Sequence, residues 1–291
     1  MTTLHLGVDA GGSRTRAVLL DAAGTVHGRG EGPGANPAGP GEEHALAALA
    51  TAVAAALGGR EPGRVASCLI GLAGYGALAR PDGFADRCRT ALGLPCPVRL
   101  VPDTVPALAS GGVTDGTGTV LIAGTGAVCV RLADGRAVAR GGGLGWLLGD
   151  EGSGFWLGRE AVRHAHADPA GALGAAVLAQ CAADSPAALL HWAYAGPPRR
   201  LATLAPLVSR LADDGDATAL AIAHTAAAHL AALVRTTAAG PGHPLVLTGS
   251  VATTPGPVHT RLLTLLADLS PRLPHTDPAT AAAHLATCPT R

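Results

Sequence analysis

The feature that most constrains this chain is one plan written twice. "VDAGGSRTRAVLLDAAGTV", Val8 to Val26, runs from an apolar strand ending in an acid through a glycine turn into a second apolar strand, then through a short turn into a third. "IAGTGAVCVRLADGRAV", Ile122 to Val138, repeats the sequence of events: apolar strand, glycine turn, apolar strand, a turn containing Asp-Gly, and a third strand. Strands Leu4 to Asp9 and Arg16 to Asp21 and the turn at Asp21 to Gly24 make the first copy a β-meander. Similar turns at similar spacing imply two lobes built alike.

Between the copies, strands and helices alternate. A helix is expected from near Glu42, where Leu46, Leu49, Val53 and Leu57 recur at helical spacing. "VASCLIGLAG", Val65 to Gly74, reads as a buried strand, and "PVRLVPD", Pro97 to Asp103, as a strand ending in an acid. Such alternation predicts a parallel portion of sheet, with ligands at the strands' carboxyl ends, where Asp103 falls. "GEGPGANPAGPG", Gly30 to Gly41, is expected to be loop throughout because of its Gly and Pro content. After Asp150 the chain reads as mostly helical, with Asp216 capping a helix, a late strand in His243 to Val251, and a closing helix, Pro278 to Ala286, packed back on the first lobe.

What the first turn can hold follows from its residues. Gly11 and Gly12 permit a tight reversal, Ser13 adds a hydroxyl and Asp9 a carboxylate, a mixture suited to a phosphate accompanied by a metal ion. All twenty-one residues of the Lys+Arg count are arginine. Without a lysine, Walker A nucleotide sites, protein-kinase sites and Schiff-base enzymes are excluded. Zero net charge gives no polybasic surface for nucleic acid, and no segment is read as a membrane-spanning run. "MTTLHLGVDAGG" lacks the pattern of a secretion signal, so a cytoplasmic protein is expected. Cys68, Cys88, Cys96, Cys129, Cys181 and Cys288 are scattered without C-x-x-C spacing and read as free thiols.

"DAGGSRTRAVLLD", "LVPDTVPAL", "IAGTGAVCV", "GGLGWLLGDEGSGFWLG" and "VLTGSV", in this order, resemble the N-acetylglucosamine kinase and BadF/BadG/BcrA/BcrD ATPase family of the actin–hexokinase–Hsp70 fold. "GDEGSGFWLG", Gly149 to Gly158, is the most specific piece. The resemblance implies an α/β, two-lobed actin/hexokinase-like (ribonuclease H-like) fold with a duplicated mixed-sheet core and an interlobe cleft. Its first lobe would be residues 1–115 joined by 277–291, and its second 116–276.

The function so implied is ATP-dependent phosphorylation of an amino sugar at its 6-hydroxyl, with N-acetylglucosamine as the leading substrate and Mg²⁺ as cofactor. By the same resemblance Gly11, Gly12 and Ser13 and then Gly124, Thr125 and Gly126 would clasp the phosphates of ATP, while Asp9 would hold Mg²⁺ through water. Asp103 matches the catalytic base. Asn36, Asp103, Gly143, Leu144, Gly145 and Asp150 match sugar-binding positions, and Ala226, Gly249 and Ser250 the adenosine region.

Leu144 stands where the family often has Trp, Ala127 where Ser is usual, and Val128 where a polar residue follows. Glucosamine and other hexosamines are alternative substrates. A radical-dehydratase activator with an iron–sulfur cluster near Cys129, and a sugar sensor without turnover, are alternative functions. A homodimer is compatible with the resemblance, and no nucleic-acid or membrane partner is implied.

Single residues also have plainer readings. Asp9 alone suits a turn, Asp103 alone suits a helix cap, and Asn36 alone suits a turn. Glu151 is read as a cap or an arginine partner, His164 and His166 as surface or partly buried, and Arg14 and Arg16 as a solvated face. Phe155 is assigned to core, and Trp146 to either pocket wall or core.

Overall fold

Alternate glycines decide the first sheet. In the computed structural model, which describes residues 2–288, the chain opens with strands β1 (Leu4–Ala10), β2 (Arg14–Asp21) and β3 (Val26–Pro33). Strand β3 therefore occupies the start of the stretch expected to be loop. Gly28, Gly30 and Gly32 all turn toward helix α1 (Glu42–Leu57), where a Cβ on Gly28 or Gly30 would overlap the carbonyl oxygens of Ala56 and Ala52. Period two on the strand meets period four on the helix, and bare glycine lets the two backbones touch. The glycines are the strand's packing face.

Strand β4 (Val65–Leu72), helix α2 (Pro81–Ala91), strand β5 (Val98–Pro102) and helix α3 (Thr104–Ser110) follow. The sheet runs β3-β2-β1-β4-β5, with β1 antiparallel to β2 and parallel to β4, and β4 parallel to β5. Leu6, Val8, Leu19, Leu49, Val53 and Ile70 form part of its apolar core.

The second unit begins with β6 (Gly118–Ala123), β7 (Ala127–Ala133) and β8 (Arg136–Gly142). Positive φ at Asp134 and Gly135 makes the tight β7–β8 turn. Helices α4 (Gly145–Leu148), α5 (Gly154–Ala167), α6 (Ala172–Gln180), α7 (Pro186–Tyr194), α8 (Ala205–Asp213) and α9 (Ala217–Thr237) precede β9 (Leu245–Thr248), and α10 (Ser250–Thr253) and α11 (Pro257–Leu265) follow it.

The order β8-β7-β6-β9 repeats the first sheet's plan, antiparallel on one side of β6 and parallel on the other. A parallel bridge between Val246 and Arg272 marks where a fifth strand would lie. Asp216 caps α9, its carboxylate accepting the Ala219 N–H at 2.7 Å. At 21 residues, α9 has the length and composition of a membrane-spanning segment, contrary to the sequence reading. Its buried stripe of Ala219, Ala223, Ala226, Leu230 and Val234 is part of this unit's core.

Helix α12 (Pro278–Thr287) returns to the first unit. Asp277 caps it, accepting the Thr280 N–H at 2.9 Å, and Gly7 of β1 lies so close to Ala279 and Ala283 that any Cβ there would overlap the helix backbone. Two compact units result, Met1–Gly116 with Pro274–Arg291 and Thr117–Leu273.

Candidate active site

In the first unit, parallel strand ends collect the polar residues. Asp9 lies near the carboxyl end of β1, and Asp103 immediately follows β5. The Asp103 N–H donates to the Leu72 carbonyl at 3.3 Å, which ties the end of β5 to the end of β4. Asp103 occupies the N-cap position of α3, yet its side chain makes no capping bond, so the plain capping reading does not account for it. Gly71 permits this approach, because a Cβ there would overlap the Pro106 ring of α3.

Burial pushes the Asp9 carboxyl up to about 7, and the Asp103 carboxylate adds to the rise while Arg16 opposes it. Asp277 raises it as well, so Asp9 feels two further carboxylates against one guanidinium. Asn36 reaches the same strand ends, since it packs against Gly74 just beyond β4. Its Oδ1 also accepts the Ala38 N–H at 2.9 Å, the turn-forming contact its chemistry favours.

The first glycine turn works differently from the sequence expectation. Neither Gly11 nor Gly12 takes a positive φ, because the connection from Ala10 to Arg14 is long enough to reverse without one. Gly11 N–H donates to the Arg14 carbonyl and Ala35 N–H to the Gly11 carbonyl, both at 3.0 Å. No atom lies within 4 Å of a Cβ built on Gly12, so that position faces open space. Arg14 and Arg16 approach Glu31 at 3.7 and 3.5 Å on the exposed surface.

In the second unit the turn Gly124–Gly126 is fastened from below. The first N–H groups of α5 point into it: Gly154 donates to the Gly124 carbonyl at 2.8 Å and Phe155 to the Thr125 carbonyl at 3.0 Å. The positive end of a helix thus lies under the turn. Buried Ser153 caps α5 by accepting the Trp156 N–H at 3.2 Å, the role the sequence reading had left open to Glu151.

Asp150, at φ 64°, accepts the Ala127 N–H on Oδ1 at 3.0 Å. Its carboxyl is raised by burial and by Glu151, against the lowering effect of the Ala127 bond. Ala127 also accepts the Gly143 N–H at 2.8 Å, so the 143–145 loop and Asp150 are both tied to the start of β7. Gly249, at φ 85°, abuts Ala123 at the end of β6, which brings the Gly249–Ser250 turn beside the glycine turn.

Ala226 of α9 is fully buried, with its carbonyl beneath Gly152. What α9 does offer is a groove of about 640 Å³ lined by Leu220, His224, Pro255, Thr260 and Arg261. The sequence reading named none of these residues. A second groove, of about 470 Å³, lies at Thr2, Arg64, Val65 and Cys96, at the amino ends of β1 and β4 and away from Asp9 and Asp103.

Among the described residues no group of three or more His, Cys, Asp and Glu side chains is arranged to ligate a metal. The Asp9–Asp103 pair still fits a hard divalent cation that keeps most of its water, because carboxylate oxygens are its natural ligands. Cys129 is buried, and burial pushes its thiol up to about 12, so it offers no exposed thiolate to a cluster.

The model of the BadF/BadG/BcrA/BcrD ATPase family matches residues 6–262. The N-acetyl-D-glucosamine kinase of Dictyostelium discoideum is 26% identical over 230 residues, 73% of this chain and 72% of that protein. The N-acetylmuramic acid/N-acetylglucosamine kinase of Clostridium acetobutylicum is 32% identical over 171 residues, 55% of this chain and 52% of that protein. Among solved structures, one from Chromobacterium violaceum, provisionally named an N-acetylglucosamine kinase, superposes with a TM-score of 0.78 at 25% identity, covering 98% of this chain and 99% of its own.

Proposed function

The chain belongs to the BadF/BadG/BcrA/BcrD ATPase family, and from that premise we propose that it is an ATP-dependent amino-sugar kinase acting on N-acetylglucosamine. The observation that carries the reading is the carboxylate pair at parallel strand ends, Asp9 raised to about 7 in part by Asp103. A phosphoryl-transfer site needs such a pair for two different tasks, binding a cation and receiving a proton.

Asp103 is the proton acceptor. It takes the proton of the sugar 6-hydroxyl as that oxygen attacks the γ-phosphorus of ATP; the bond from the γ-phosphorus to the bridging oxygen breaks, and ADP leaves. Within the first unit Asn36 orients the sugar from beyond β4; within the second, Asp150 and the backbone of Gly143–Gly145 offer hydroxyl partners. Asp9 is the residue that would hold Mg²⁺, through water. Bound there, the cation supplies the charge neutralisation that a chain without lysine does not provide from an ammonium group.

The turns Gly11–Ser13 and Gly124–Gly126 bind phosphate oxygens, the second with support from the α5 dipole. Gly249 and Ser250 flank the ribose. The groove beside Arg261 and His224, the latter on the helix that carries Ala226, receives the base.

The test is product mass after incubation with Mg·ATP and N-acetylglucosamine, glucosamine, N-acetylmannosamine or glucose, with Asp103→Asn as control. A singly phosphorylated N-acetylglucosamine that disappears in the control supports the reading. Product from none of the four sugars with folded, ATP-binding protein overturns it.

A further inference from the structure

Trp146 is an unusual surface residue for this chain. Aromatic residues make up 2% of the sequence, and of its 3 tryptophans Trp156 is buried and Trp192 lies under the Arg200 guanidinium, 4.0 Å from the ring centroid. Trp146 is 49% exposed. An indole left half in water forgoes a large burial gain, which calls for a reason.

The ring is nevertheless braced. Its centroid lies 6.1 Å from that of Phe155 at an interplanar angle of 60°, and Phe155 is buried in the second unit beneath Trp146 and the Arg159 guanidinium. One side of the indole is fixed by a buried neighbour while the rest stays open. The surroundings match this arrangement: Trp146 follows directly on the Gly143–Gly145 loop, and the carboxylates of Asp150 and Glu151 come within the next five positions. Leu144, 64% exposed, supplies no ring there.

An aromatic face carried on the same short segment as hydroxyl acceptors suits a pyranose, whose axial C–H groups make one face apolar while its rim carries hydroxyls. The negative face of the indole attracts those polarised C–H groups, and a stacked ring is oriented as well as held. We propose that Trp146 is a sugar-stacking residue, its open face receiving the carbon face of the hexosamine ring. The assignment rests on the amino-sugar kinase reading and adds a binding residue to that site.

The experiment is intrinsic fluorescence during titration with N-acetylglucosamine in the absence of nucleotide, alongside steady-state kinetics. For the wild type a saturable change in emission is expected, lost in Trp146→Phe because the reporter is gone. Trp146→Ala should raise the sugar KM about tenfold, with kcat falling far less and the ATP KM unchanged. Trp146→Phe, which keeps a ring, should recover most of that loss and keep the wild-type melting temperature.

An unchanged sugar KM in Trp146→Ala overturns the proposal. So does a wild-type fluorescence response that persists in Trp146→Phe, or a Trp146→Ala defect that is a change in subunit number by light scattering with sugar affinity intact. A wild-type protein that neither binds nor phosphorylates any amino sugar overturns the kinase reading itself, and the stacking assignment falls with it.

Discussion

The two glycine turns occupy matching places in sheets of matching order, yet they are built differently. The first, Gly11–Ser13, is a hairpin end whose Gly11 bonds to Arg14 and accepts from the distant Ala35, with Gly12 facing open space and a carboxylate pair nearby. The second, Gly124–Gly126, has its carbonyls bonded to the start of α5 and its neighbour Ala127 held by Asp150 and Gly143. In one, the charges sit in side chains around the loop; in the other, a helix terminus and a half-buried carboxylate fix the backbone. A duplicated scaffold therefore need not duplicate its chemistry. The first turn is suited to cation and proton handling, the second to a rigid array of donors.

The largest effect should come from the charged side of this contrast. Asp103→Asn removes the proton acceptor while keeping size, and a positioned general base contributes about 10²–10⁴-fold. The expected result is a kcat loss of that order in a coupled assay, with melting temperature and ATP affinity close to wild type. If both turns contributed only binding, KM would change instead.

A pair of alanine substitutions separates rigid from open. A Cβ on Gly126 would lie 2.8 Å from Asp150 Oδ1, so Gly126→Ala must displace the carboxylate from the Ala127 N–H. Leaving such a buried bond unmade costs about 1–3 kcal/mol, visible as a lower denaturant midpoint. Gly12→Ala meets no atom within 4 Å and has no positive φ to strain. Its stability should stay within about 0.5 kcal/mol of wild type, while the ATP KM rises because the new methyl fills space that phosphate oxygens need. Equal stability losses at the two positions would erase the distinction.

Much of this was legible in the sequence because it rests on period and order. The recurring strand and turn pattern gave the two meanders, and the spacing of Leu49, Val53 and Leu57 gave the buried face of α1. What remained hidden depended on neighbours far away in the chain. Gly30 and Gly32 looked like loop residues because their partner, the α1 backbone, is invisible to local propensity. The glycines of the first turn suggested backbone freedom, whereas Gly12 matters for the space it leaves.

A motif match likewise carries position without burial. It selected Ala226 on α9, which is fully buried, and gave no sign of the groove that His224 lines two positions away. The bond from Asp150 to Ala127 crosses 23 positions, so no local pattern announces it.

Charge near the first turn predicts a pH response that the second turn should not copy at the same strength. Asp9 is raised from 3.8 to about 7, so between those values the folded protein binds a proton that the unfolded chain has released. Stability from this group is full below about pH 4 and is lost as pH rises toward and through 7. In a chelator, wild-type melting temperature should fall over that window more than that of Asp9→Asn. Adding Mg²⁺ at pH 8 should restore more to the wild type than to the variant. Identical pH profiles for the two proteins would remove the Asp9–Asp103 strain from the account.

The smallest effect concerns Asp150, the carboxylate of the rigid turn. Its carboxyl is also raised, by burial first, so ionisation at neutral pH carries a modest cost in the folded state, with the same sign of pH dependence as Asp9. Asp150→Asn keeps an oxygen for the Ala127 N–H, and asparagine tolerates the φ of 64° well. The variant should therefore gain stability relative to the wild type as the pH rises from 4 to 8, a difference measurable by urea unfolding at the two pH values. Destabilisation at both would mean that the charge itself holds Ala127, and the second turn would then depend on a side-chain charge as the first does. Unchanged stability at both would assign the rigidity of this turn to the α5 terminus alone.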